Sequence, residues 1–146
     1  METTLAQSMQ EIADKLTDAD PSVAALAHLL GNVERKYTGS GYYLTPKDPR
    51  FKSIWVGIQT GGLSGEDVTD VEVEFAAIAS LQVAELDKVF GRHRMVPANP
   101  SGPLYRISYL FDKAGQPYKS TLYVTLNTPD LPGAQAEKVG IRRDKR

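Results

Sequence analysis

The strongest constraint on the fold is a short segment that the chain nearly repeats. Val23-Ala24-Ala25-Leu26-Ala27-His28-Leu29-Leu30-Gly31 returns as Val83-Ala84-Glu85-Leu86-Asp87-Lys88-Val89-Phe90-Gly91. Val, Ala, Leu and Gly recur at matched positions, and Leu30 is answered by Phe90. Each copy reads as a short helix closed by glycine, and strand-like segments follow both. Self-similarity at a fixed spacing is the mark of repeated supersecondary units. The expected fold is therefore α+β: two tandem helix-plus-antiparallel-strand units, with the helices packed on one face of the sheet. This expectation carries an architecture and no chemistry.

The elements can be placed more finely. Leu5, Met9, Ile12 and Leu16 recur at helical spacing between polar residues, predicting a helix over 3–17. Asp20-Pro21 is a good start for a second helix, over 21–34, since a carboxylate accepts orphan amide protons and proline suits the first turn. A third helix is expected over 80–90. Ile54, Val56 and Ile58 alternate with Trp55, Gly57 and Gln59, and Val71, Val73 and Phe75 alternate with Asp70, Glu72 and Glu74. Such alternation marks strands with one buried and one solvated face. Strands are expected over 53–59, 70–76, 104–111 and 120–127, with a further β-prone run at Tyr42-Tyr43-Leu44. Thr60 to Gly65 reads as a glycine-rich turn, and Pro97 to Pro103 as a loop.

At 146 residues, the chain is long enough for a core that needs no covalent staple. It has no cysteine, so neither a disulfide framework nor a thiolate metal site can form. One domain is expected over 1–132, with the first unit at about 21–77 and the second at about 80–128. Residues 133–146 read as an irregular basic tail, where Lys138, Arg142, Arg143, Lys145 and Arg146 face only Glu137 and Asp144. The tail is either a solvated terminus or a basic docking segment. With 17 basic and 18 acidic residues, the chain lacks the basic excess of a nucleic-acid-binding protein. No run approaches the ~18 apolar residues of a membrane span. The first residues lack the basic and apolar regions of a signal peptide. Taking Met1 as the native start gives a cytoplasmic protein, and a removed signal would make it periplasmic.

Leu86, Val89, Phe90 and Gly91, followed by Tyr105-Arg106-Ile107-Ser108-Tyr109-Leu110-Phe111-Asp112 and Leu122-Tyr123-Val124, make a helix–glycine–hairpin pattern. Leu26, Leu30, Gly31 and the strand 54–58 match it in the first unit. The pattern resembles the beta-lactamase-inhibitor-protein-like folds, which include the small lipoprotein of the outer-membrane barrel-assembly machinery. The chain lacks the cysteines found in both groups and the Gly-Met-Thr that usually precedes the helix. The resemblance implies a non-enzymatic protein that binds another protein on its sheet face.

Candidate chemistry is sparse. His28 lies within an apolar helix and His93 just past a helix-ending glycine, where a positive group is favoured by the helix dipole. Ser64, in Gly61-Gly62-Leu63-Ser64-Gly65, is followed by an expected strand and not by the helix that a nucleophile elbow requires. No spacing offers a metal site, and no cofactor is expected. The acids Glu72 and Glu74 project from one strand face, either simply solvated or as a charged rim for a basic partner. Trp55 and Tyr123 point opposite to Ile54, Val56, Leu122 and Val124, beside Arg106. Aromatics and arginine on an exposed sheet face are the residue types of binding hot spots, though they can also merely stabilise that face by cross-strand packing. The expected role is a protein-binding domain of inhibitor, immunity or assembly-factor type, monomeric or homodimeric, using Trp55, Arg106, Tyr123, Glu72 and Glu74. The alternatives are a homodimeric chaperone for a secreted effector, and a small-molecule-binding or enzymatic domain with a pocket between helices and sheet.

Overall fold

A computed structural model describes residues 3–19, 21–37, 39–62, 65–97, 105–128 and 133–145. Helix α1 spans Leu5–Leu16. It starts at a reciprocal cap: Gln7 N–H donates to Thr4 Oγ1 at 3.1 Å, and Thr4 N–H donates to Gln7 Oε1 at 3.0 Å. Helices α2, Val23–Leu30, and α3, Val83–Phe90, are the two near-repeated segments. Ser22, rather than the expected Asp20, caps α2, its Oγ accepting from Ala25 N–H at 3.0 Å. Asp20 lies outside the described residues, as do Leu63 and Ser64 of the glycine-rich turn and residues 98–104 of the proline-bounded loop.

Eight strands form one antiparallel sheet: β1 Gly31–Tyr37, β2 Gly41–Pro46, β3 Phe51–Gly62, β4 Gly65–Phe75, β5 Arg94–Met95, β6 Arg106–Phe111, β7 Tyr118–Leu126 and β8 Ala136–Lys145. Their order is β1-β2-β3-β4-β8-β7-β6-β5. Four strands follow α2 and four follow α3. The two sets run inward from opposite edges and meet at β4 and β8.

Strand alternation decides what is buried. Leu44, Ile54, Val56, Val71, Val73, Ile107, Tyr109, Leu122, Val124, Val139 and Ile141 join one core cluster with the helix residues Met9, Ile12, Leu16, Leu26 and Leu86. Helix α1 touches β4, β7 and β8, α2 touches β1 and β2, and α3 touches β6. The Ser120 hydroxyl, buried in this layer, donates to Ala13 O at 2.7 Å. Among the described residues no buried side-chain nitrogen or oxygen lacks a partner.

Two expectations are corrected. The second helix does not reach residue 34, because the chain leaves it at Gly31 and enters β1 directly. Gly31 N–H still donates to Ala27 O. Its φ of +155° and the closeness of β2 exclude a side chain, since a Cβ there would overlap the Thr45 carbonyl oxygen. From this point Gly31 pairs with Pro46 and Asn32 with Thr45.

The stretch 133–146 is not an irregular tail: residues 136–145 form β8, hydrogen-bonded to β4 on one side and β7 on the other. Val139 and Ile141 are buried. Arg143 turns toward the end of α1, donating from Nε to Leu16 O at 3.1 Å and from Nη2 to Asp18 O and Ala19 O at 2.7 Å. Leu16 O is one of the carbonyls that a helix C-terminus leaves unpaired, Asp18 O and Ala19 O follow just beyond the C-cap, and a cation there also meets the negative end of the dipole. The guanidinium stacks 3.4 Å from the Tyr118 ring centroid.

Candidate functional site

The face of the sheet that carries the alternate residues is the candidate site. One line of directly paired residues crosses every strand: Arg35, Tyr43, Trp55, Glu72, Gly140, Tyr123, Ser108 and Arg94. Neighbouring strands lie about 4.8 Å apart, so Trp55 and Tyr123, three strands apart, are separated by roughly 14 Å. The structure thus puts both expected aromatics on this face but at two distinct centres. Glu72 and Glu74 lie mid-sheet on β4.

The first centre is aromatic. Trp55 packs on Tyr43 with ring centroids 4.8 Å apart and on Tyr37 at 6.0 Å, and Tyr37 meets Tyr43 edge-on at 5.7 Å. Tyr37 and Tyr43 remain 41% and 39% exposed. Gly41 makes the cluster possible, because a Cβ there would come within 2.6 Å of the Trp55 ring. Trp55 therefore lies down across β2 and is only partly exposed. Arg35 Nη1 donates to Tyr37 Oη at 3.1 Å and fixes the outer ring.

The second centre is cationic. The Tyr123 ring is flanked by the guanidinium groups of Arg106 and Arg142, each 5.3 Å from its centroid. Arg142 Nε donates to Asp144 Oδ1 at 2.8 Å, and Thr121 Oγ1 donates to Asp144 Oδ2 at 2.6 Å. The hydrogen bond it donates to Asp144 holds the Arg142 guanidinium above its ordinary ionisation range. A hollow of about 420 Å³ is lined here by Arg94, Ser108, Lys119, Thr121, Tyr123 and Arg142. Between the centres the surface is bare at Gly140, where a Cβ would meet nothing within 4 Å. Lys138 Nζ bridges to Glu72 Oε1 at 3.1 Å across this divide.

Elsewhere the titratable groups make structural contacts. His28 is exposed. His93 Nδ1 lies 2.9 Å from Asp87 Oδ1, which also accepts from Tyr109 Oη at 2.7 Å. Burial, reinforced by Asp87, raises the Tyr109 phenol above its ordinary ionisation range. A broad depression of about 700 Å³ includes Lys52, Glu74, Asn127 and Glu137. Its charges Lys52 and Glu74 pair with each other at 3.3 Å. Among the described residues no group of histidine, aspartate and glutamate side chains could hold a metal ion, and no helix is long and apolar enough to cross a membrane.

Sequence reasoning found Trp55, Tyr123 and Arg106 but missed Tyr37, Tyr43, Arg142 and Arg94. For the tyrosines a signal existed in Tyr37-Thr38-Gly39-Ser40-Gly41-Tyr42-Tyr43, whose glycines suit a tight turn between two β-prone ends. For Arg142 none did, because its place follows from β8 lying beside β7. No protein-family model, no curated protein and no solved structure matches this chain.

Proposed function

We propose that this chain is a non-enzymatic protein-binding domain, of inhibitor, immunity or assembly-factor type, that engages a partner protein through the outer face of its sheet. The three helices are read as covering the other face, and the two helix-plus-four-strand segments as related units. The observation that carries the reading is the Tyr37–Tyr43–Trp55 cluster, with two of its rings more than a third exposed. Large aromatic rings offer wide contact area at little entropic cost and dominate binding hot spots. Tyr123 between two arginines adds a second group of the same residue types. A homodimeric chaperone would need a self-complementary surface. The exposed edge strand β1 instead carries Glu34, Arg35 and Lys36, charges that discourage edge pairing.

The test is site-specific photo-crosslinking. A photoreactive residue at Tyr43 should trap a discrete partner in an extract of the source cells, and the same residue at Glu11 on helix α1 should not. Equal trapping from both positions, or trapping from Glu11 alone, would refute the sheet-face reading. The Trp55→Ala variant should lose the crosslink from Tyr43 while keeping its thermal unfolding transition.

A further inference from the structure

Building on the sheet-face reading, we propose that the hollow between β5 and β8 receives an acidic segment of the partner protein. The two halves of the outer face differ in charge. At outer positions β4 carries Asp70, Glu72 and Glu74. The β5–β8 half presents Arg94, Arg106, Lys119, Lys138 and Arg142, with Asp144 among them. Lys138 is engaged by Glu72 and Arg142 by Asp144. No ion pair engages Arg94, Arg106 or Lys119 among the described residues. Two of these cations, Arg94 and Lys119, therefore line a depression that also holds the Ser108 and Thr121 hydroxyls and the paired Arg142 and Asp144, while Arg106 lies against the Tyr123 ring in its wall.

This donor set suits carboxylates. A guanidinium binds a carboxylate through two parallel N–H bonds, and an ammonium supplies a compact second charge. The hollow's volume of about 420 Å³ is room for a few side chains. Gly140 leaves the strand floor bare beside it, so a partner backbone can approach closely. A nucleic acid fits less well. A duplex carries a phosphate on each strand about every 3.4 Å of helix axis, and a track leading from the hollow toward Trp55 would run over Asp70 and Glu72. A protein segment can set acidic side chains in the hollow and an apolar one on the Trp55 cluster, roughly 14 Å away, leaving β4 uncontested.

The test uses the full-length chain labelled with ¹⁵N and titrated with a capped hexaglutamate peptide at low ionic strength. The amides of Arg94, Ser108, Thr121, Tyr123 and Arg142 should shift together, those of Tyr43 and Trp55 should stay in place, and added salt should reverse the shifts. The double variant Arg94→Ala, Lys119→Ala should weaken the peptide by about tenfold or more. Lys15→Ala, which removes an exposed cation on helix α1, should leave its affinity unchanged. Should the double variant fail to fold, Arg94→Glu alone, on the exposed two-residue β5, gives the same comparison. No shift at the hollow, or equal affinity in the variants, would overturn the proposal. So would tighter binding of an oligothymidylate than of hexaglutamate, which would mark a polyphosphate site. None of these outcomes alters the crosslinking result at Tyr43, so the acidic-segment proposal and the sheet-face reading fail separately.

Discussion

Helices α2 and α3 share Val, Ala and Leu at matched positions, the same length and a glycine at the same place, yet they are held by different means. In α2 the glycine is a packing requirement, because Gly31 sits against the Thr45 carbonyl and the chain passes at once into the seven-residue β1. In α3 the glycine is a conformational one. Gly91 has φ +86° with open space around it, and only the two-residue β5 follows. The N-termini differ too, since Ser22 caps α2 with its hydroxyl and Gln82 makes no side-chain cap. In compensation, α3 carries Asp87 where α2 has Ala27, and that carboxylate ties it to Tyr109 and His93. Matching apolar spacing thus brings both helices to the core, while the polar residues around that spacing decide what else anchors them.

The comparison can be tested from its shared feature outward. Leu26 and Leu86 occupy matched positions and both have no exposed surface. Truncating either to alanine should cost about 2–5 kcal/mol in denaturant unfolding. A loss below about 1 kcal/mol at one of them would show that only one helix belongs to the common core. Phe90 is only partly buried, against Tyr109 and Phe111, so Phe90→Ala should cost less than Leu86→Ala.

The glycines should then separate the two helices. Gly31→Ala must push apart two paired strands and should cost about 3 kcal/mol or more. Gly91→Ala strains only its own backbone and should cost about 1 kcal/mol. Equal losses would mean that the close approach of Gly31 to β2 is not tight in solution.

A smaller difference lies in the Asp87 network. Asp87→Ala leaves the nearly inaccessible Tyr109 hydroxyl without its acceptor and should cost about 1–3 kcal/mol. Folding also raises the ionisation of the Tyr109 phenol above its ordinary value of 10.0. The stability this contributes is intact below that pH and falls as pH climbs past it, because the unfolded phenol loses its proton first. Tyr109→Phe should flatten this alkaline loss, and an unchanged stability profile above pH 10.0 would assign it to other groups. The smallest effect is at the caps: Ser22→Ala should cost about 1 kcal/mol, and Gln82→Ser should gain up to about that much.

Much of the candidate face was legible because alternation is a local property. Ile54, Val56, Leu122 and Val124 mark the buried side of their strands, so Trp55 and Tyr123 must project the other way. The division of the face into an aromatic and a cationic half was not legible, because it depends on which strands are neighbours. That Glu72 meets Lys138 follows only from β8 lying beside β4.

The sequence by itself determined the three helices, the inward sets of the alternating strands and the outward direction of Trp55, Tyr123 and Arg106. Caps, turns and apolar periodicity act within a few residues, and the chain need not be closed for them to operate. Only the tertiary structure decided β1 and β8. Gly31-Asn32-Val33-Glu34-Arg35-Lys36-Tyr37 is charged and exposed along most of its length, and it is a strand because β2 pairs with it. Residues 136–145 are rich in charge, yet β4 and β7 satisfy their backbone from both sides while Arg143 finds the open end of α1. A strand's stability lies largely in its neighbours' hydrogen bonds and side-chain packing. Those neighbours exist only once the chain has folded back on itself.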